Sequence, residues 1–282
     1  MPSIINSRTD LYCIFGSPVR HSLSPVMLNA AFQETGINAV YLAFEPASIQ
    51  AGISSMKSLG IKGASVTIPF KIDALGFVDN MDPLAARIGS VNTIVNSDGI
   101  LTGYNTDGYG AIQALANKNI SIENATSLII GNGGSARAIA FTLLQNRSAV
   151  ALAGRNIGKV EALACDLRKQ QSSVRSLLIS DLDEQFMNSI DIIINTTPVG
   201  MAPHLDAIPL HEDLLFEKHT VFDIVYSPVM TKLLTAAEKK GCAIVNGIEM
   251  LIYQGARQFE LWTGKQPPIP AMFSAIVNHL QK

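Results

Sequence analysis

From residue 128 onward the chain repeats one theme: a short apolar run, a break, a stretch with helical spacing, then another apolar run. The runs lie at 128–130, 150–153, 177–179, 192–194, 221–225 and 243–245. They are too short for helices, and without polar alternation they need cover on both faces. Strands of that kind, alternating with helices, pack as a parallel, doubly wound sheet. The fold class expected for the chain is therefore α/β.

Directly behind the run Leu128-Ile129-Ile130 stands GNGGSARA, with Gly131, Gly133 and Gly134 ahead of a helix expected over 136–144. Glycines in a strand–turn–helix setting let backbone amides approach a pyrophosphate, and the helix N-terminus adds partial positive charge there. The spacing departs from GxGxxG, with Ala138 at a small-residue position further along; a plain structural turn is the alternative. A dinucleotide site also reads the end of the next strand. NAD enzymes usually place Asp or Glu there for the ribose hydroxyls. This chain has Gly154-Arg155-Asn156 with Lys159 one turn later, and no carboxylate. A guanidinium can clamp a 2′-phosphate through two hydrogen bonds, with Lys159 adding a point charge, so NADP is favoured over NAD. The competing view makes Arg155 and Lys159 ordinary solvated charges.

The first hundred residues form a separate alternation. Buried strands are expected at 11–15, 40–44 and 63–66, and helices at 25–35 and 47–59. Ser24-Pro25 reads as a cap followed by the first helical position, and Gly36 as the left-handed residue that ends the helix. Asn96-Ser97-Asp98-Gly99 reads as a hairpin turn between 92–95 and 100–102. Long helices are expected at 247–264, with Trp262 as an anchor, and at 271–280. The expected division is a substrate-binding α/β domain over 1–107, completed by 247–282, and a dinucleotide-binding domain over 108–246.

Composition narrows the function classes. The net charge of −2 on 282 residues, with basic side chains scattered, gives no footprint for nucleic acid. No apolar stretch approaches the length of a membrane span. Cys13, Cys165 and Cys242 are far apart and read as reduced thiols, and the N-terminus shows no signal-like apolar region, so a soluble cytoplasmic protein is expected. The histidines lack metal-ligand spacing, so no metal is expected. A small-molecule substrate is the expected partner, with the chain a monomer or homodimer.

Two polar stretches carry the chemistry: SVTIPFK, ending at Lys71, and GYNTDGYG, holding Asp107. An amine and a carboxylate brought together by folding can handle a proton. Beside a dinucleotide site, such a pair suggests hydride transfer coupled to proton transfer at an alcohol or ketone. The alternative is an exposed ion pair. Ser22 and Ser24 alternate, so in an extended segment both hydroxyls would face one way and could hold a carboxylate. His21 reads as a structural hydrogen-bonder.

With these residues in place, the chain resembles the shikimate dehydrogenase family. The matching pieces, in order, are GSPVRHSLSP, GASVTIPFK, GSVNT, GYNTDGYG, GNGGSARA, NTTPVGM, DIVYSPVMTKLL and GIEMLIYQGARQFELWTG, from Gly16 to Gly264. The resemblance implies an N-terminal substrate domain, a Rossmann-type NADP domain and a C-terminal helix returning to the first domain. It implies reversible NADP-linked reduction of 3-dehydroshikimate to shikimate, on the route to aromatic amino acids. Ser22 and Ser24, helped by Tyr226, would bind the carboxylate. Thr67, Asn92, Asp107 and Gln254 would hold ring hydroxyls, and Lys71 would be catalytic, paired with Asp107. Gly131, Asn132, Gly133, Gly134 and Ser135 would cradle the pyrophosphate, Arg155 and Lys159 the adenosine phosphate, and Ile224 and Gly247 would lie near the nicotinamide. The chain departs from the family pattern at Ser65, usually Asn, at Gly154-Arg155-Asn156, usually NRT, and in GSVNT for GAVNT. A quinate or dual quinate/shikimate dehydrogenase, with NAD open as its cofactor, is the nearest alternative; an aminoshikimate dehydrogenase or a slow paralogue is another. A non-catalytic nucleotide-sensing module is more distant.

Overall fold

The computed structural model describes residues 5–169 and 173–281. The chain divides into two units, Met1–Thr106 with Ile252–Lys282, and Asp107–Leu251.

The first unit opens with β1 (Asp10–Phe15), α1 (Ser24–Glu34), β2 (Ala39–Phe44), α2 (Ile49–Leu59) and β3 (Gly63–Val66). β4 (Asn80–Met81), α3 (Pro83–Ile88), β5 (Thr93–Ser97) and β6 (Ile100–Tyr104) follow. The sheet order is β2-β1-β3-β5-β6-β4. β1 runs parallel to β2 and β3, while β5 is antiparallel to β3 and β6. Side-chain alternation along β1 serves both faces. Cys13 and Phe15 pack with Ile53 and Met56 of α2, and Tyr12 stacks on Phe32 of α1 with ring centroids 5.0 Å apart. Local chemistry sets the element ends. Ser48 Oγ accepts from Ala51 N at 3.2 Å to start α2, and Gly60, at φ +66°, ends it. The β5–β6 turn is tighter than the sequence suggests: only Asp98 and Gly99 lie outside the strands, both with positive φ, as a two-residue hairpin turn requires.

Three expectations need correction here. β2 is an edge strand, with Leu42 and Phe44 exposed, because only one side of it is paired. Ser24 does not cap α1: Leu23 already has helical dihedrals, so Ser24 is itself helical, though Gly36 takes its expected left-handed place. His21 is exposed, beside Glu45, and not a structural hydrogen-bonder in the core.

The second unit runs α4 (Asp107–Asn117), β7 (Thr126–Ile130), α5 (Gly134–Gln145), β8 (Ala149–Gly154), α6 (Ile157–Arg168), β9 (Val174–Leu178), α7 (Glu184–Met187) and β10 (Ile192–Asn195). It continues through β11 (Thr220–Asp223), α8 (Lys232–Lys239) and β12 (Ala243–Val245). All six strands are parallel, in the order β12-β11-β10-β7-β8-β9. The order reverses at β7, which pairs with β8 on one side and β10 on the other. In doubly wound sheets that switch point, at the carboxyl ends of the strands, is where ligands bind. β9 starts three residues earlier than the apolar run suggests, since Val174 is buried. α4 was not legible, and it packs closely on α5: a Cβ on Gly108 would stand 2.0 Å from Thr142 Oγ1.

The chain ends with α9 (Gly247–Thr263) and α10 (Ile269–Leu280), and the division between units falls inside α9, after Leu251. Trp262 Nε1 donates to Ile94 O at 3.0 Å, and its indole fills the space that a Cβ on Gly63 would need. Phe259 meets Phe32 at 5.6 Å. These contacts fasten the C-terminal part of α9 to the first sheet. Among the described residues, no helix is long and apolar enough to cross a membrane.

Candidate active site

In the first unit, one edge of the sheet collects the polar residues. β1 and β3 are parallel and end there, β5 starts there opposite β3, and β6 ends there. Ser22 and Ser24 follow β1, Thr67 and Lys71 follow β3, and Asn92 precedes β5. Backbone bonds knit the segments together. Ser17 N donates to Ile68 O at 3.0 Å, Thr67 N to Phe15 O at 2.9 Å, and Val91 N to Lys71 O at 2.8 Å. Gly16 has to be glycine, for a Cβ would meet Thr67 Cγ2 at 2.4 Å. Ser22 and Ser24 do not share an extended segment: Ser24 opens α1, and Ser22 Oγ, just before it, accepts from Ser24 N at 3.2 Å. Lys71 is half-buried.

Asn92 is buried and its carbonyl oxygen is heavily engaged. Oδ1 accepts from Thr106 N at 2.8 Å and from Thr93 Oγ1 at 2.7 Å. Nδ2 faces Thr106 Oγ1 at 3.0 Å and Gln254 Oε1, on α9, at 3.5 Å. Gln254 thus belongs beside Asn92. Ser65, where the family pattern has Asn, is buried, accepts from Tyr41 and donates to Gln258. The departure is absorbed by hydrogen bonding.

In the second unit the carboxyl ends of the parallel strands carry the other candidates. Gly131 follows β7 at φ +124°, where an L side chain is strained, and a Cβ would stand 2.4 Å from Thr196 Oγ1. Gly133 precedes α5 without any side-chain cap, so the first backbone N–H groups of the helix, those of Gly134 and Ser135 included, are offered to an anion. Asn132 lies within this turn. Ser135 Oγ is spoken for: it donates to Asp107 Oδ2 at 3.1 Å. Its share in a phosphate cradle is its backbone N–H. Asp107 is buried at the first position of α4, where a carboxylate is favoured by the helix dipole.

Beyond β8, Arg155 and Lys159 are exposed, and Asn156 Oδ1 caps α6 through Lys159 N at 3.1 Å. These residues and the glycine turn fit a dinucleotide with a 2′-phosphate: a bare helix end, a turn without room for a side chain, and two cations with no carboxylate at the ribose position. Ile224 and Tyr226 follow β11, and Gly247 opens α9 against Ile224, where a Cβ would lie 2.4 Å from Ile224 O.

One node went unread in the sequence. Asp223, the last residue of β11, is fully buried and accepts from Asn195 Nδ2 at 2.9 Å, Val225 N at 3.0 Å and Thr231 Oγ1 at 2.7 Å. It ties the loop after β10 to the loop carrying Ile224 and Tyr226. A charged residue closing an apolar strand was the available signal. Burial pushes its carboxyl up from 3.8 to about 6, outweighing the three donors that pull the other way. The folded protein therefore holds this proton more tightly than the unfolded chain does. The group's contribution to stability is full below pH 3.8 and is lost as pH rises through about 6. Relative to Asp223→Asn, the wild type is expected to lose roughly 3 kcal/mol of unfolding free energy across that window, at about 1.4 kcal/mol per pKa unit. Denaturant titrations of both proteins on either side of the window check this; parallel pH profiles would contradict it.

Comparison with known proteins finds one family along the chain. The profile "Shikimate dehydrogenase substrate binding domain" matches residues 14–94, "Shikimate / quinate 5-dehydrogenase" matches 114–203, and "Shikimate 5'-dehydrogenase C-terminal domain" matches 247–275. A shikimate dehydrogenase (NADP+) of Methanocaldococcus jannaschii is 41% identical over 284 residues, covering 99% of this chain and 100% of its own. The chain belongs to the shikimate dehydrogenase family. A shikimate dehydrogenase crystallised with NADP+ shares the fold at a TM-score of 0.94 and 40% identity, covering 100% of this chain and 99% of its own. The shikimate 5-dehydrogenase of Thermus thermophilus, in complex with NADP(H) and shikimate, does so at 0.85 and 33%, covering 95% and 98%. The α/β fold with a doubly wound parallel sheet is thus the family's fold.

Proposed function

We propose that this shikimate dehydrogenase family member catalyses the reversible NADP-dependent reduction of 3-dehydroshikimate to shikimate. The observation that carries the reading is the single sheet edge of the first unit on which Ser22, Ser24, Thr67, Lys71 and Asn92 converge. It offers hydroxyls, an amide and an ammonium, the groups a polyhydroxylated ring carboxylate needs. The relatives that carry this name and the NADP+ requirement support it.

NADPH, when bound, supplies the hydride. The chain's own residues do the rest. The Ser22 and Ser24 hydroxyls, with Tyr226, bind the substrate carboxylate. Thr67, Asn92, Gln254 and Asp107 bind ring hydroxyls, fixing which carbon is presented. The Lys71 ammonium stabilises the developing alkoxide and delivers its proton to that oxygen; in the reverse direction it takes the proton back. Asp107 is the carboxylate that orients that ammonium. The backbone amides of residues 131–135 bind the pyrophosphate, and Arg155 with Lys159 the 2′-phosphate. Substrate on the first unit and cofactor on the second make domains over 1–107 with 247–282 and over 108–246 the functional division we propose.

Initial rates with shikimate or quinate, each with NADP+ or NAD+, test the reading. The pair shikimate and NADP+ is expected to have the highest kcat/KM. A preference for quinate with NAD+ would replace it with the quinate dehydrogenase reading.

A further inference from the structure

Within the first unit, four buried side chains hydrogen-bond in series toward Asn92, and two backbone groups fix the direction of every bond. Gln258 Nε2 lies 3.2 Å from Asn92 O, a backbone carbonyl that can only accept. This sets the Gln258 amide: Nε2 donates there and to Thr93 Oγ1 at 3.0 Å, and Oε1 accepts from Ser65 Oγ at 2.7 Å. With its proton so used, Ser65 accepts from Tyr41 Oη at 2.6 Å. Thr93, accepting from Gln258, donates to Asn92 Oδ1. At the far end Thr106 N, a backbone donor, also points at Asn92 Oδ1. Amide orientation is ordinarily ambiguous; here the backbone decides it twice. Tyr41, Thr93 and Gln258 are each at most 1% exposed, so no water competes for these bonds.

The geometry points to Gln258 as a positioning residue: through Thr93 it pins the carbonyl of the Asn92 amide inward, so that the NH2 turns to Thr106 Oγ1 at 3.0 Å and, at a longer 3.5 Å, to Gln254 Oε1, and a ring hydroxyl meets Asn92 at the N–H on the Gln254 side. Tyr41 and Ser65 hold Gln258 from behind. The assignment rests on the proposed function, which makes Asn92 a substrate-binding residue. It also gives Gln254 and Gln258, four residues apart on one face of α9, different tasks: one beside the amide, one behind it.

The test is a double-mutant cycle of Gln258→Met and Asn92→Ala, read as shikimate KM and kcat. In the wild-type background Gln258→Met is expected to raise shikimate KM about tenfold with kcat within about threefold, the scale of one misplaced buried hydrogen bond. In the Asn92→Ala background it is expected to add nothing to KM, because Gln258 reaches the substrate only through that side chain. General loosening of the core would instead give additive effects and lower kcat. Additive effects, or an unchanged KM for the single variant, overturn the assignment. If Gln258→Met fails to fold, Tyr41→Phe takes its place in the cycle, with an expected rise of about two- to threefold that again vanishes when Asn92 is absent; additivity there overturns the assignment equally. A wild type that turns over shikimate while the cycle is additive removes only the role of Gln258. A wild type inert toward shikimate removes the proposed function, and this role with it.

Discussion

Replacing Lys71 by alanine is expected to lower kcat by roughly two to four decades, the usual cost of losing a general acid–base group. The backbone there does not depend on the side chain: Lys71 O is held by Val91 N at 2.8 Å, and that bond survives truncation. Shikimate KM is expected to change much less, and NADP+ affinity little, because Asn92, Thr67 and the two serines remain. A loss confined to kcat is the mark of an interaction made in the transition state. Steady-state kinetics with shikimate varied at saturating NADP+ reads both constants. Near-full turnover in the variant would mean that another group supplies the proton.

The second large effect lies at the end of β8. Arg155→Ala is expected to raise the KM for NADPH by about 10- to 100-fold, the scale of one lost charge-assisted hydrogen-bonded pair. NADH, without the 2′-phosphate, is expected to bind the variant and the wild type nearly alike. Arg155 is exposed, so truncation leaves the core intact, and Asn156 still caps α6 through Lys159 N. Comparison of kcat/KM for the two cofactors in both proteins checks this. Equal losses for NADPH and NADH would make Arg155 a general surface charge and not a phosphate clamp.

The sequence disclosed what depends on neighbours in the chain. A buried strand, a glycine turn and a helix in direct succession could be read at 128–144, and the absence of a carboxylate after β8 could be read at 154–156. The Asp98-Gly99 turn was visible because two consecutive positive φ angles suit few residue types. What depends on sheet order was hidden. AVYLAF at 39–44 has the same apolar look in the middle of a sheet as at its edge, and only the pairing exposes Leu42 and Phe44. Ser24 looked like a cap because Ser-Pro starts many helices; Leu23, already helical, moved the start back by one residue. α3, with 6 residues, and β4, with 2, are too short to show a period. Partners distant in sequence were hidden altogether. Ser65 and Gln258 are 193 positions apart, and nothing local to either names the other. The same holds for Asp107, whose buried carboxylate finds its Ser135 partner across α4 and β7.

The most direct test of the account mixes the purified chain with 3-dehydroshikimate and NADPH, follows NADPH by absorbance, and identifies the organic product. NADPH loss is expected to be matched mole for mole by shikimate, and the same mixture with Lys71→Ala is expected to stay nearly flat. Stable NADPH with unconsumed 3-dehydroshikimate, or NADPH loss that yields a different product, would contradict the account.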